Sequence, residues 1–306
     1  MLFVVLTASL LVGSSLVPGA QCRSCGQSLG TTKNFEDIFK GRCYDYVEKI
    51  NPQAFCGKKN KSCDELWDTF RSAFTNTSSC NTSAYMYSAF INASTHSLPR
   101  GKSMFWQGVS GFVHELTYRG KRYFALEDTL YGYTLNQLNW CWSGEAGDFN
   151  YTLCPNRNVC PSGPKTTYWE AASREFAKVA SGTVQVMING SRFPPYNRTG
   201  FFGRVELPAM NTSKVDRIRI LLAHDLKLHV VEDCNGKSIT ELKADIKARG
   251  MEVECTDDPK WVRFYMCVDH PNHPICKNLT SKAHSNTAFG VVLYILLFSI
   301  KNMVSR

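Results

Sequence analysis

Thirteen cysteines in a chain of 306 residues constrain this protein more than any other feature of its sequence. Cytosolic thiols stay reduced, so cysteine on this scale means either metal sites in the cytosol or disulfides in an exported chain. Metal sites need ligands at short fixed spacing. The only C-x-x-C here is Cys22-Arg23-Ser24-Cys25, beside the N-terminus. The cysteines therefore read as oxidised pairs in a secreted protein.

Both ends of the chain agree. Residues 2–16 are almost wholly apolar or small, and Pro18-Gly19-Ala20 offers a small-residue cleavage site, so 1–20 reads as a signal peptide without the usual positive charge near Met1. The alternative, a buried N-terminal helix, is stopped abruptly by Val17-Pro18-Gly19. Nine N-x-[ST] sequons follow, at Asn60, Asn76, Asn81, Asn92, Asn150, Asn189, Asn197, Asn211 and Asn278. At the other end an apolar run of thirteen residues, 288–300, is short against the ~20 that a spanning helix wants. It follows a polar stretch with small residues, so the tail 281–306 reads as a glycosylphosphatidylinositol (GPI) anchor signal, ahead of a short membrane helix. The polar end 301–306 is unusual for such a signal. The expected location is the secretory pathway, with a membrane-anchored glycoprotein at the cell surface or in a vesicle lumen.

Between these ends the texture changes. Phe35, Ile38, Phe39, Cys43, Tyr46, Val47 and Ile50 recur at helical spacing, as do Leu66, Trp67, Phe70 and Phe74. From about Gly182, segments 183–188, 217–223, 226–231 and 251–255 read as strands, and Ser238 with Glu241 reads as the capping box of a helix reaching Arg249-Gly250. Strand–helix–strand order argues for a partly parallel sheet, hence a helical part plus an α/β part with a ligand cleft between them. Hydrophobic content of 43% supplies a core, and the formal charge of +9 favours anionic ligands such as phosphates.

Several segments could furnish that cleft. Adjacent Glu127 and Asp128 sit among apolar residues, and neighbours on an extended chain face opposite sides. One would enter a cleft while the other bonds the backbone. The plainer reading, favoured for the motif alone, makes Asp128 the cap of a helix over 129–138. Glu206, within Phe201-Phe202-Gly203-Arg204-Val205-Glu206-Leu207-Pro208, is a carboxylate that desolvation could tune, or else a solvent-facing strand residue. Trp106 and Trp169 could be ordinary core residues. His114, His224, His229, His270, His273 and His284 show no ligand spacing, so no metal is expected. No Gly-x-Gly-x-x-Gly or phosphate-loop pattern exists, nor an aromatic-and-basic ladder, so neither a dinucleotide fold nor nucleic acid is expected.

Together these segments closely resemble the ADP-ribosyl cyclase family, secreted or surface enzymes that turn NAD into cyclic ADP-ribose, ADP-ribose and nicotinamide. The resemblance runs from about Phe35 to Cys276. It is carried by Leu126-Glu127-Asp128-Thr129-Leu130, Phe105-Trp106, the run from Gly132-Tyr133 to Trp140-Cys141, Val186-Met187-Ile188-Asn189-Gly190-Ser191, and Phe202-Gly203 with Glu206. It implies an α+β or α/β fold: a helical N-terminal subdomain and a C-terminal subdomain with a mainly parallel four-stranded sheet flanked by helices. The domain would span 21–280, its helical part about 34–100 and 127–180, its α/β part about 101–126 and 181–276. It makes Glu206 the catalytic glutamate beneath the ribosyl oxocarbenium, and Glu127 the acidic gate contacting the nicotinamide amide. Trp106 and Trp169 become aromatic walls, and Ser173 a polar position near the scissile ribose. Phe201, Phe202, Gly203, Asp128 and Asn136 join the substrate pocket, and Ser191 and Arg192 with Phe202-Gly203 are expected to hold the pyrophosphate. Asn136 replaces an aspartate of some members, and Gln107 a common serine.

The resemblance also implies the pairs Cys43–Cys63, Cys80–Cys160, Cys141–Cys154, Cys234–Cys255 and Cys267–Cys276. Cys22, Cys25 and Cys56 are left over; one further pair with Cys56 is open, and an odd thiol could link two chains as a homodimer. NAD and NADP are the implied substrates, with base exchange on NADP to NAADP as a further activity and calcium signalling as the setting; no cofactor is implied. The alternative class is a catalytically weak surface receptor or adhesion protein of the same fold. A basic secreted nuclease lacks a paired histidine constellation. Phe201 stands where mammalian members carry a small hydroxyl residue, which with Asn136 points toward the invertebrate cyclases and a large share of cyclic product.

Overall fold

The computed structural model describes residues 27–55, 62–75, 80–117, 122–142 and 149–277. The signal segment, the 288–300 run, and Cys22, Cys25 and Cys56 lie outside these residues. Among the described residues no helix is long and apolar enough to cross a membrane.

The apolar periodicity of the N-terminal half becomes helices. Helix α1 (Phe35–Asp45) runs into a wide π-helical turn, Tyr46–Ile50, and buries Phe35, Phe39, Cys43 and Tyr46 on one face. Helix α2 (Cys63–Ser72) starts from a reciprocal Ser62–Glu65 capping box. With α3 (Ser88–Ser94), α5 (Leu130–Leu135) and α6 (Pro164–Val179), these helices enclose an aromatic core. Phe70 stands at its centre, with ring contacts to Phe35, Phe39, Trp67, Phe74, Tyr87, Phe90, Trp140 and Tyr168 at 5.3 to 6.1 Å. Aromatic side chains bury large areas and gain further from edge-to-face geometry, which suits a small helical core.

The sheet comprises β2 (Met104–Gln107), β4 (Gly182–Asn189), β5 (Val215–Ala223) and β6 (Glu252–Asp257), in the order β2-β4-β5-β6 and parallel throughout. Period-two alternation sends Val184, Val186, Ile188, Ile218, Ile220 and Leu222 to the face shared with the main core. Met104, Met187 and Leu221 face a second cluster with Val113 of α4 (Ser110–Thr117) and Val262 of α9 (Lys260–Asp269). Cover on both faces is what a parallel sheet requires. A short ribbon pairs β1 (Gln27–Leu29) antiparallel to β3 (Leu153–Pro155).

Five disulfides pin the loops, with Cα–Cα distances of 5.1 to 5.9 Å, and they join the pairs that the resemblance implies. Three local expectations are corrected. Segment 226–231 is no strand: it finds no ladder partner, and Leu228 and Val230 are each 58% exposed. Helix α8 (Lys237–Ala248) is not capped by Ser238 with Glu241. Instead Glu232 reaches forward, and its carboxylate accepts from the Ser238 N–H and hydroxyl at 2.9 Å. Helix α5 is capped by Thr129, whose hydroxyl accepts from the Gly132 N–H at 3.1 Å, and it ends at Leu135 because Gln137 takes φ +61.

Truncating the central ring tests this account of the core. Phe70→Ala should destabilise the chain by ~3–5 kcal/mol in equilibrium urea unfolding. A loss near the ~0.5 kcal/mol of a surface change would mean that the aromatic cluster is not cooperative.

Candidate functional site

Four separate segments converge on one cavity of about 750 Å³, within the usual range for small-molecule sites. Trp106 and Gln107, the last residues of β2, line it, as expected of the carboxyl end of a parallel strand. The 3₁₀ turn Leu126–Asp128 contributes Glu127. Helix α6 contributes Trp169 and Ser173, four residues apart and so on one face. The π-helical turn Phe202–Glu206, running into α7 (Leu207–Ala209), contributes Phe202 and Glu206, with Phe201 just before it. Single-turn π segments of this kind are often found at functional sites.

Glu206 is only 8% exposed. Burial pushes its carboxyl up from 4.5 to about 8; the Ser173 hydroxyl, hydrogen-bonded to it, works against that rise, and nearby Glu127 adds to it. Two carboxylates in one apolar cleft with a raised pKa on one is the signature of a site built to meet a cation. Glu127 lies with Oε1 3.3 Å from His114 Nε2, an ion-pair distance without hydrogen-bond alignment. That neighbour raises the His114 pKa. The other oxygen, Oε2, is buried with no hydrogen-bond partner, so it can accept from a bound ligand. The His114 ring stands edge-on to Trp106 at 5.7 Å.

Glu127 and Asp128 do divide as the adjacent-carboxylate argument anticipates. Asp128 turns from the cavity, and its Oδ2 accepts from the Ala125 N–H at 2.8 Å, closing the turn that aims Glu127. Burial raises the Asp128 carboxyl to about 6. Gly132 lets α5 approach this turn, since a Cβ there would meet the Leu126 carbonyl oxygen at 1.9 Å.

The cavity thus brings together Glu206, Glu127, Trp106, Trp169, Ser173, Phe201, Phe202 and Asn136. Asp128, Gly203, Ser191 and Arg192 are not among its lining residues. Gly203 packs where a Cβ would meet the Arg198 carbonyl oxygen at 2.6 Å. Ser191 Oγ accepts from the Asp225 N–H at 3.2 Å, tying it to the end of β5, whereas Arg192 packs beside Gly108 of the cavity wall, 3.5 Å from where a Cβ there would stand. A local motif carries no information about which side of a sheet end it will face. Gln107, noted in the sequence for following Trp106, lines the cavity too, as do His114, Asn139, Arg157 and Lys165, which the sequence reading did not place there. They share no motif with Glu206, and only their proximity in space reveals them. Among the described residues no three His, Cys, Asp or Glu side chains converge as metal ligands.

The chain matches the family model described as ADP-ribosyl cyclase over residues 32–276. It is 35% identical over 248 residues to ADP-ribosyl cyclase/cyclic ADP-ribose hydrolase 1 of Mus musculus, covering 81% of this chain and 80% of that one. Against the Aplysia californica ADP-ribosyl cyclase/cyclic ADP-ribose hydrolase it is 34% identical over 256 residues, covering 83% and 90%. The crystal structure of Aplysia cyclase with substrate NGD and product cGDPR superposes with a TM-score of 0.75 at 33% identity, covering 82% of this chain and 98% of that one. Porcine CD38, complexed with a covalent intermediate, gives 0.70 at 29% identity, covering 76% and 98%.

The buried carboxyl makes a sign-specific prediction. Since its folded pKa lies above the ordinary 4.5, Glu206 costs no stability below that pH, and the cost grows as pH rises toward about 8. Glu206→Gln should match wild type in thermal unfolding at pH 4 and melt several degrees higher at pH 8. Equal melting at both values would show that the carboxylate is solvated.

Proposed function

The chain belongs to the ADP-ribosyl cyclase family, and from that premise we propose that it cleaves the nicotinamide–ribose bond of NAD, giving nicotinamide with cyclic ADP-ribose and ADP-ribose. The observation that carries this reading is the buried Glu206 carboxylate beside Ser173, in a cavity shared with Trp106, Trp169 and Glu127. Nicotinamide is already a cation in NAD, so it leaves as a neutral base and needs no strong acid. The difficulty is the positive charge left on the ribose. An anion fixed in low dielectric beneath that carbon stabilises it more than water could. Binding the cationic ring beside Glu206 also favours the ionised carboxylate, lowering its pKa from the value in the empty site.

The other residues have complementary roles. Trp106 and Trp169 offer aromatic faces to a flat cationic ring, by stacking and cation–π attraction. Glu127, through its unpartnered Oε2, suits the carboxamide N–H of nicotinamide. Ser173 orients the Glu206 carboxylate. After nicotinamide departs, water adds to the anomeric carbon and loses a proton, giving ADP-ribose; alternatively an adenine nitrogen of the same molecule bonds there, giving the ring-closed product. Cyclisation wins only where the pocket excludes water and folds the substrate back. Phe201 supports that outcome, since its ring lies on the cavity wall with the guanidinium groups of Arg157 and Arg204 at 5.5 and 5.7 Å.

The five disulfides suggest an extracellular or secretory protein. The proposed signal peptide, sequon glycosylation and lipid anchor at 281–306 extend that reading to a membrane-held glycoprotein, and NADP remains a proposed second substrate with base exchange to NAADP.

Incubation of purified protein with NAD should release nicotinamide, and Glu206→Gln should lower that rate by at least ~10³-fold while remaining folded. The wild-type kcat/KM should rise with pH toward about 8 and then level, because the free enzyme needs the ionised carboxylate. A folded wild type that releases no nicotinamide would favour the receptor class instead.

Product choice gives a second test. Cyclic ADP-ribose, or its fluorescent analogue from a guanine substrate, should form a large share of product, and Phe201→Thr should shift the balance toward ADP-ribose. Essentially pure ADP-ribose from the wild type would make the protein mainly an NAD glycohydrolase.

A further inference from the structure

The turn that aims Glu127 is gripped from behind, on the side away from the catalytic cavity. Tyr46, 1% exposed at the head of the π-helical turn that continues α1, donates its hydroxyl to the Asp128 carbonyl oxygen at 2.8 Å. His96, just after α3, brings Nε2 within 2.8 Å of that same hydroxyl and accepts from the Leu130 N–H at 3.3 Å. Leu130 opens α5, so its N–H is one of those at a helix start with no acceptor inside the helix. We propose that His96 is a positioning residue for the reaction: through Tyr46 and Leu130 it fixes the Leu126–Asp128 turn, and with it the Glu127 carboxylate, against the nicotinamide ring. The proposal rests on the NAD-cleaving reading, in which Glu127 meets the carboxamide.

The geometry supports this in three ways. Glu127 has no well-aligned side-chain partner of its own among the described residues, so its aim comes from the backbone beneath it. That backbone is tied before Glu127 by the Ala125–Asp128 bond, and after it by Tyr46 at the Asp128 carbonyl and His96 at the Leu130 N–H.

The imidazole also suits the task in either neutral tautomer. With the proton on Nδ1, the ring donates to the Ser97 carbonyl oxygen at 3.1 Å while Nε2 accepts from Leu130. With the proton on Nε2, the ring donates to the Tyr46 oxygen, and Nδ1 accepts from the Asn51 side-chain amide at 3.4 Å. Both arrangements hold the turn through the same ring nitrogen.

Placement separates this role from catalysis. His96 does not line the catalytic cavity; it lines a second one of about 650 Å³, with Tyr46, Asn51 and Phe124. The far end of α5 is secured independently, since Arg42 Nη1 donates to the Asn136 carbonyl oxygen at 2.6 Å and the Tyr133 hydroxyl donates to Asp45 at 2.7 Å. Loss of His96 should therefore be felt at the Glu127 end alone.

The test uses the full chain, with two readouts: inhibition of NAD cleavage by free nicotinamide, and amide hydrogen exchange at Leu130. His96→Leu keeps much of the bulk and removes both ring nitrogens. It should speed Leu130 exchange and weaken nicotinamide inhibition roughly tenfold. His96→Gln offers a carbonyl and an amide N–H at comparable reach, and should bring both readouts back to within about twofold of wild type. In a Glu127→Gln background, His96→Leu should alter inhibition by less than about twofold, because the carboxylate it positions is gone. Wild-type inhibition in His96→Leu despite faster Leu130 exchange would overturn the proposal. So would full additivity with Glu127→Gln, or a His96→Gln variant no better than His96→Leu. If His96→Leu does not fold, Tyr46→Phe decides, since it removes one oxygen from the same relay: weaker inhibition supports the role and unchanged inhibition overturns it. Failure of the NAD-cleaving reading is separate, appearing as a wild type that releases no nicotinamide while its Leu130 amide stays protected.

Discussion

Burial of the Glu206 carboxylate is the constraint around which this molecule is arranged. A carboxyl that is 8% exposed and pushed to about 8 is held there against its own hydration. It can persist only because the surrounding packing is strong enough to offset a penalty of several kcal/mol. That packing comes from two sides. Helix α6 brings Ser173 from the aromatic helical core, while the Phe202–Glu206 turn is anchored by Val205, Leu207 and Met210, all buried. The junction of the helical part with the sheet is therefore also where this desolvation cost is carried.

Charges of both signs line the cavity. The carboxylates and aromatic walls share the cavity with the cations Arg157 and Lys165, the latter on α6 one turn before Trp169. The net charge of +9 is a property of the whole surface and steers anions in general. Within the cleft Lys165 is partly desolvated, and burial lowers its pKa, whereas Arg157 stays exposed. The disulfides do more than stabilise: they hold a loop of polar residues as a rigid wall.

Much was legible in the chain itself. Aromatic residues at helical spacing from Phe35 to Phe74 became helices with those residues inward, since a helix places i and i+4 on one face whatever its neighbours. The run 183–188 became a strand for the same kind of reason, with its bare neighbours on both sides supplying ladder partners. Segment 226–231 has comparable β propensity yet no partner, and it stays outside the sheet. Propensity is local; pairing is not. Capping went astray in the same way, because Glu232 lies close in space to the start of α8 without the three-residue spacing that marks a capping box.

For the site, the sequence by itself determined the chemical inventory: the carboxylates, the tryptophans, the short run that aims Glu127, and the cysteines that mark an oxidising compartment. It left open whether Glu127 and Asp128 would part or Asp128 would cap a helix, and the 3₁₀ turn Leu126–Asp128 with its Asp128–Ala125 bond decided that. Tertiary structure alone decided which of these groups meet. Trp106, Glu127, Trp169 and Glu206 come from four segments spread over a hundred residues, and His114, Arg157 and Lys165 join them without any motif. It likewise decided that Ser191 is tied to the end of β5, while Arg192 packs beside Gly108 at the cavity wall. The physical reason is one of range. Backbone geometry fixes where neighbours in sequence point, but the field and dielectric at a carboxylate are summed over everything within a few ångströms, and that set is chosen only when the chain has folded.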